Sequence, residues 1–424
     1  MSSPWLFSAK TDLLTFGGSA VVALLLVAVG WPLGWLESET PDWLWVVSVL
    51  LIDVAHVYAT GFRVYFDRAE LRRRAWLYWL VPLLAFGIGA ALYSEGSRLF
   101  WRTLAYVAVF HFVRQQYGWV VLYRAKAGER DGLGRAIDSA AIYLATIYPL
   151  VFWHSHPRRF SWFVGSDFAE LPVLAERIVA PVYWASLILY AAHSAYRAIW
   201  QRHFNPGKDL VVTTTALCWY VGIVGLNSDY AFTVTNVITH GVPYMVLVAR
   251  FQPARPADGS RSRWHWLRFV GVLWLLAYAE ELLWDCGVWH DRSWLFGPAW
   301  NIGDWDQVLV PLLAVPQITH YVLDGFIWRR RSNQNVGEFV DSGASQSLER
   351  KIGSASASSV SSAFSSNGPG SEQHTDDAEV TDRHGRNRQS NLNSNETIAS
   401  RVTPAPLPFL GMSETIQSAA SELG

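Results

Sequence analysis

Long apolar runs recur along the chain up to Trp328, each close to the roughly 20 residues a helix needs to cross a bilayer. Ten can be marked: Phe16–Trp35, Trp43–Arg63, Trp76–Tyr93, Phe100–Tyr123, Ser139–Trp153, Ile178–Trp200, Leu210–Leu226, Tyr230–Val248, Trp266–Cys286 and Val308–Trp328. The fifth and seventh are the shortest. The pattern predicts an all-α polytopic membrane protein with about ten transmembrane helices. After Arg331 the pattern stops. Residues 332–424 are rich in Ser, Asn and Gly and poor in large apolar residues, so they cannot bury a core. The expected organisation is a transmembrane domain over residues 1–331 and a disordered cytoplasmic tail over 332–424.

Loop charge orients the spans. Arg68, Arg72, Arg73 and Arg74, then Arg124, Lys126, Arg130 and Arg135, then Arg202 and Lys208, then Arg250, Arg255, Arg261 and Arg263, and finally Arg329–Arg331 all fall on one side of a ten-span chain. The opposite side has fewer basic residues and the Trp-rich segments Trp153–Phe163 and Trp289–Trp305. The positive-inside rule puts both termini in the cytoplasm, in a cell inner (plasma) membrane.

Composition agrees. The 424 residues are 51% hydrophobic and only 16% charged, with 23 Trp, whereas a soluble domain carries about 25% charged residues. A net charge of −1 gives no polyanion-binding surface, so nucleic acid is not an expected partner. Cys218 and Cys286 sit in apolar runs without metal-type spacing and read as buried thiols. The N-terminus lacks a basic segment followed by a cleavage site, so no removable signal peptide is expected.

Four spans break the apolar pattern in the same way. In span 2, Asp53, His56, Thr60 and Arg63 form one helical stripe. Span 4 aligns His111, Gln115 and Gly118, with Arg114 one step round. Span 8 aligns Thr233, Asn236, His240 and Tyr244, with Pro243 as a kink. Span 10 aligns Gln317, His320 and Asp324 beside Pro316. All four are even-numbered and run in the same direction. Their histidines fall at one depth, within a slab of roughly 7 Å at 1.5 Å rise per residue. Ionisable groups in a bilayer cost about 2.5–3.5 kcal/mol each, so four at one depth call for a reason.

Neutral imidazole is a strong ligand for iron, zinc and copper. Its second nitrogen needs an acceptor that fixes the tautomer. Asp53, Gln115, Asn236, Gln317 and Asp324 are each one turn from a histidine and are the candidates for that task or for completing the ligand shell. Histidines with carboxylates suit non-haem Fe(II) better than structural zinc, which favours cysteine. The competing structural reading is that these residues bond between helices as polar glue.

Other polar residues read differently. His154 and His156 form an interfacial pair, and His193 is a packing histidine. Glu280 and Glu281 face an aqueous vestibule or the interface. Arg63 and Arg114 either bind an anionic group or snorkel to the interface.

His56, His111, His240 and His320, intramembrane histidines without cysteine ligands, resemble those of the integral-membrane iron oxygenases. The Brp/Blh carotene-cleaving dioxygenases are the nearest in kind. The resemblance implies an all-helical membrane fold with histidines holding one iron. Here Asp53-Val-Ala-His56 stands where that family has Pro-His-Gly-Ala, and His240-Gly241 is followed by Val-Pro. The clustered histidine boxes of membrane desaturases are absent. The leading expectation is an iron-dependent membrane oxygenase acting on a lipid or lipophilic small molecule that enters laterally. The alternative is a transporter or ion-coupled carrier using the same residues as a relay. A third reading is a lipid-binding scaffold.

Overall fold

A computed structural model describes residues 4–38, 40–156, 162–165, 167–251, 263–329, 333 and 336–339. All regular structure among them is helical. The helices are α1 (Ala9–Gly30), α2 (Asp42–Arg63), α3 (Ala75–Glu95), α4 (Ser97–Lys126), α5 (Gly132–Ser155) and α6 (Val173–Ile199). They continue with α7 (Pro206–Trp219, extended by a π-helical turn Tyr220–Gly225), α8 (Asp229–Phe251), α9 (Arg263–Trp284, extended by Asp285–Trp289) and α10 (Gly303–Ile327). Each overlaps one of the ten apolar runs. Seven of them, α1, α2, α3, α5, α6, α8 and α10, are long and apolar enough to cross a membrane. Large apolar side chains such as Leu83, Ile178, Ile188 and Leu275 project from the outside of the bundle. The chain therefore has the character of a multi-pass membrane protein.

The long helix α4 is not among the seven, because Arg98, Arg102, His111, Arg114, Gln115 and Gln116 lower its hydropathy. Its packing explains the tolerance. His111, Gln115, Gln116, Trp119 and Tyr123 are buried among other helices, so α4 presents much of its surface to protein and needs less apolar side chain.

Helix α2 packs against α8, α9 and α10, and α10 also meets α3 and α4. Two local features set this geometry. Gly241 on α8 lets the helices meet closely: a Cβ there would lie 2.7 Å from Ile52 Cγ2. Both helices also carry π-helical turns, Val46–Val54 in α2 and Thr233–Val237 in α8, which pack on one another. A π turn inserts a residue and rotates the remainder of the helix about its axis, and such turns concentrate at functional sites.

Contacts define two ends. At one end the turns join through Thr40 N to Asp229 (2.9 Å), Arg292 to Asp42 (3.6 Å) and the tilted ring pair Trp101–Trp289. At the other lie the basic loops. There Arg63 pairs with Glu70 at 3.3 Å, and Glu70 also binds Arg73 and Tyr78. Arg124, Glu129, Asp138, Arg197 and Lys208 form a buried ion network tying α4, α5, α6 and α7.

The expected disordered tail lies outside the described residues apart from its first few positions. Asn333 is buried and donates to the Ile327 carbonyl at 3.3 Å. Phe339 packs near Phe7 and Phe251. The folded body therefore extends past residue 331. The ends of the Arg-rich segments, Arg255, Arg261, Arg330 and Arg331, and Arg158 and Arg159 on the opposite side, fall outside the described residues.

Candidate metal centre

Helices α2, α4, α8 and α10 bring His56, His111, His240 and His320 together, all buried. Ring centroids lie 4.8 Å apart for His56–His240 and His56–His320, 5.2 Å for His111–His240, 4.6 Å for His111–His320 and 6.5 Å for His56–His111. Two triangles thus share the His56–His111 edge. By their geometry, the midpoint of that edge lies about 4 Å or less from all four centroids, close enough for short metal–nitrogen bonds after small ring movements. His56, His111 and His240 each offer a nitrogen within 4.8 Å of the others.

His320 joins through His111, with 3.1 Å between their Nε2 atoms. Two ligands of one metal at about 2.1 Å, set 90–109° apart, are separated by about 3.0–3.4 Å, so this pair is at ligand spacing. A direct Nε2–H···Nε2 bond is the other arrangement compatible with that distance.

His320 is also the best-oriented ring. Its Nδ1 lies 2.7 Å from Thr60 Oγ1, which lies 3.0 Å from the Tyr244 hydroxyl, itself next to Asp324. With Nδ1–H donated to Thr60, Nε2 carries its lone pair toward the other three rings. His111 has Asp324 at 3.9 Å from Nδ1, and its face lies over Tyr321 at 4.8 Å.

His56 and His240 differ. Neither ring nitrogen of His240 makes a hydrogen bond among the described residues, and the His56 ring has only the Ile52 and Asp53 backbone carbonyls nearby, in poor geometry. Asp53 is the nearest carboxylate to His56 Nδ1, at 3.5 Å, too long for a good bond. His240 stacks flat on Phe112, 3.7 Å between centroids and 4° between planes. A buried polar atom left unpaired costs about 1–3 kcal/mol, and imidazoles held this way are open to a ligand. The donor set, four histidines with nearby carboxylates and no cysteine, fits a transition metal of borderline softness.

Three sequence-derived orienting residues behave differently from expectation. Gln115 Nε2 donates to the His240 carbonyl at 2.9 Å, not to a ring. Asn236 Nδ2, in the π turn, donates to Thr235 Oγ1 at 3.0 Å. Gln317 Nε2 points to Glu280 at 3.4 Å. They brace the helices around the site; Asp53 and Asp324 are the two that lie beside imidazoles. Thr60 and Tyr244 shared the histidine stripes, but their bonds to and near His320 cross between helices and carry no sequence signal. Phe112 and Tyr321 carry none either.

A cavity of about 650 Å³ runs from the Thr40–Asp229 end down to Asp53 and Gln317. Glu281 lines it, as expected of a vestibule residue. Glu280 does not line it. It is buried, accepting from Trp284 Nε1 at 3.2 Å, with the Tyr58 hydroxyl adjacent.

Elsewhere, His154 pairs with Tyr106 (3.0 Å) and the Leu150 carbonyl, and His156 stacks on Phe152. The segment between them and Trp162 lies outside the described residues. Arg63 does not snorkel: it is buried, paired with Glu70 through one guanidinium nitrogen and stacked over Phe251. Arg114 binds the Tyr143 hydroxyl. Cys218 and Cys286 are free, buried thiols. No protein-family description, curated protein or solved structure matches the chain.

Proposed function

We propose that His56, His111, His240 and His320 hold a metal ion, Fe(II) by the donor chemistry, in a membrane enzyme that oxidises a lipophilic substrate. The observation that supports this most is the convergence of four buried rings, one of them, His240, with no hydrogen bond to either nitrogen. Such an ion supplies one-electron and dioxygen chemistry that protein side chains lack.

The chain's own groups do the rest. Thr60, held by Tyr244, fixes the His320 tautomer so that Nε2 faces inward. Asp324, 3.9 Å from His111, and Asp53, 3.5 Å from His56, place a carboxyl group beside each ring. Phe112 and Tyr321 cover ring faces and keep water from them. In this reading α4, α7 and α9 also cross the bilayer, giving ten spans. The basic loops and both termini then face the cytoplasm of a plasma-membrane protein.

One observation favours a second reading. The cavity above Asp53 is lined with carboxylates, as the mouth of an ion-coupled carrier would be. The two separate by spectroscopy. Ferrous protein reconstituted without oxygen and exposed to nitric oxide should give the paramagnetic signal of an iron–nitrosyl site, and His111→Ala should abolish it. A silent spectrum from folded protein would overturn the iron reading.

A further inference from the structure

The vestibule cavity has a lining of its own that the histidine site does not explain. Its walls carry the rings of Trp45, Trp101, Trp162, Trp284 and Trp289, with Phe163 and Phe232. Five carboxylates share it, Glu37, Asp53, Asp229, Glu281 and Asp291, against one cation, Arg292. That cation is already engaged: it stacks 3.8 Å over Trp45 and pairs with Asp42 and Asp291. Asp229 is spent on Thr40. Glu281 is not. It is only 8% exposed, it lines the cavity, and it makes no hydrogen bond or ion pair among the described residues, although Arg292 is within electrostatic reach. Asp53, Glu280 and Asp285 add negative charge around it.

A nearly buried carboxylate without a partner wants a cation. Seven aromatic rings around it suit an organic cation better than a hydrated metal ion, because ring faces attract an ammonium group while giving no ligand atoms. A volume of about 650 Å³ is the size of a small-molecule site. We infer that this cavity binds an organic ammonium ion, with the charged head against Glu281 and the aromatic walls around its alkyl groups. The site is separate from the four histidines and does not depend on a metal there.

Calorimetric titration of the detergent-purified full chain with choline and benzyltrimethylammonium tests it, with 3,3-dimethylbutanol as the neutral counterpart of choline. At least one ammonium probe should bind, and the neutral counterpart of choline should bind at least about tenfold more weakly than choline or not at all. Glu281→Gln should weaken ammonium binding by about tenfold. Asp291→Asn, at an exposed position that does not threaten folding, should weaken it less. Binding should persist in His111→Ala, which separates this site from the metal proposal. No binding by either ammonium probe, or equal binding of choline and its neutral counterpart, would overturn the inference, and the wild-type comparison holds even if Glu281→Gln fails to fold.

Discussion

Two regions of this molecule bury polar side chains between helices and differ in how those side chains are partnered. The ion network at the basic end joins Arg124, Glu129, Asp138, Arg197 and Lys208, and every charged group in it has an opposite partner within hydrogen-bond or ion-pair reach. The histidine cluster between α2, α4, α8 and α10 leaves both nitrogens of His240 unpaired and gives the His56 ring only poorly placed backbone carbonyls of Ile52 and Asp53. A network in which every charge meets a counter-charge is explained by the helices it holds together, even with Asp138 Oδ1 and Arg197 Nε left without a hydrogen bond. A ring with neither nitrogen bonded points outside the chain, because an unpaired buried group costs more than a paired one gains.

The largest effect should come from breaking the charge-paired region. Asp138→Asn strips Arg124 and Lys208 of a buried counter-charge and should cost about 3–5 kcal/mol, read from chemical denaturation in detergent. His240→Phe should cost little or nothing in metal-free protein, since it removes two unpaired nitrogens and keeps the stack on Phe112. If His240→Phe proved as damaging as Asp138→Asn, the contrast between the regions would fail.

Chelation comes next. Stripping metal from wild-type protein should lower its thermal midpoint by the linked binding energy, about 2.7 kcal/mol at a hundredfold excess over Kd. The same treatment should leave His240→Phe nearly unmoved. Thr60→Val should act more gently. It keeps the fold but loosens His320, and metal affinity should fall about 10- to 100-fold while stability without metal changes by about 1 kcal/mol. An unchanged affinity would remove Thr60 from the site.

The smallest effect separates the regions by pH. Burial alone would raise the Glu129 carboxyl, but Lys208, Asn205 and Arg197 outweigh it and hold it below the usual carboxylate range. A depressed folded value means the stabilisation is present above the unfolded value, near 4.3, and is lost as pH falls through the lower folded value. The thermal midpoint of wild type should therefore exceed that of Glu129→Gln at neutral pH, and the gap should close in acid below about pH 4. A gap that persisted to lower pH would mean that Glu129 acts by packing.

The sequence made some of this legible. Apolar run length predicted ten segments, and a long helix stands at each; seven of them meet the length and hydropathy that a span requires. The spacing of Asp53, His56 and Thr60, or of Gln317, His320 and Asp324, showed one polar face per helix. What it could not show was how the faces meet. Thr60 and His320 are 260 residues apart, and only packing brings the hydroxyl to Nδ1. The π turns of α2 and α8 have no local signature, yet the one in α8 carries Asn236, which donates to Thr235 and not to the ring it was expected to orient. Helix α4 shows the reverse problem: its polar residues depress its hydropathy because neighbouring helices cover it.

The central claim is that the four histidines hold a metal. Elemental analysis of purified full-length protein, wild type beside His111→Ala and His320→Ala, measures it directly. The account predicts about one equivalent of a first-row transition metal, iron foremost, in wild type and a loss of most of it in both variants. Wild-type protein without stoichiometric metal, or variants that retain it in full, would contradict it.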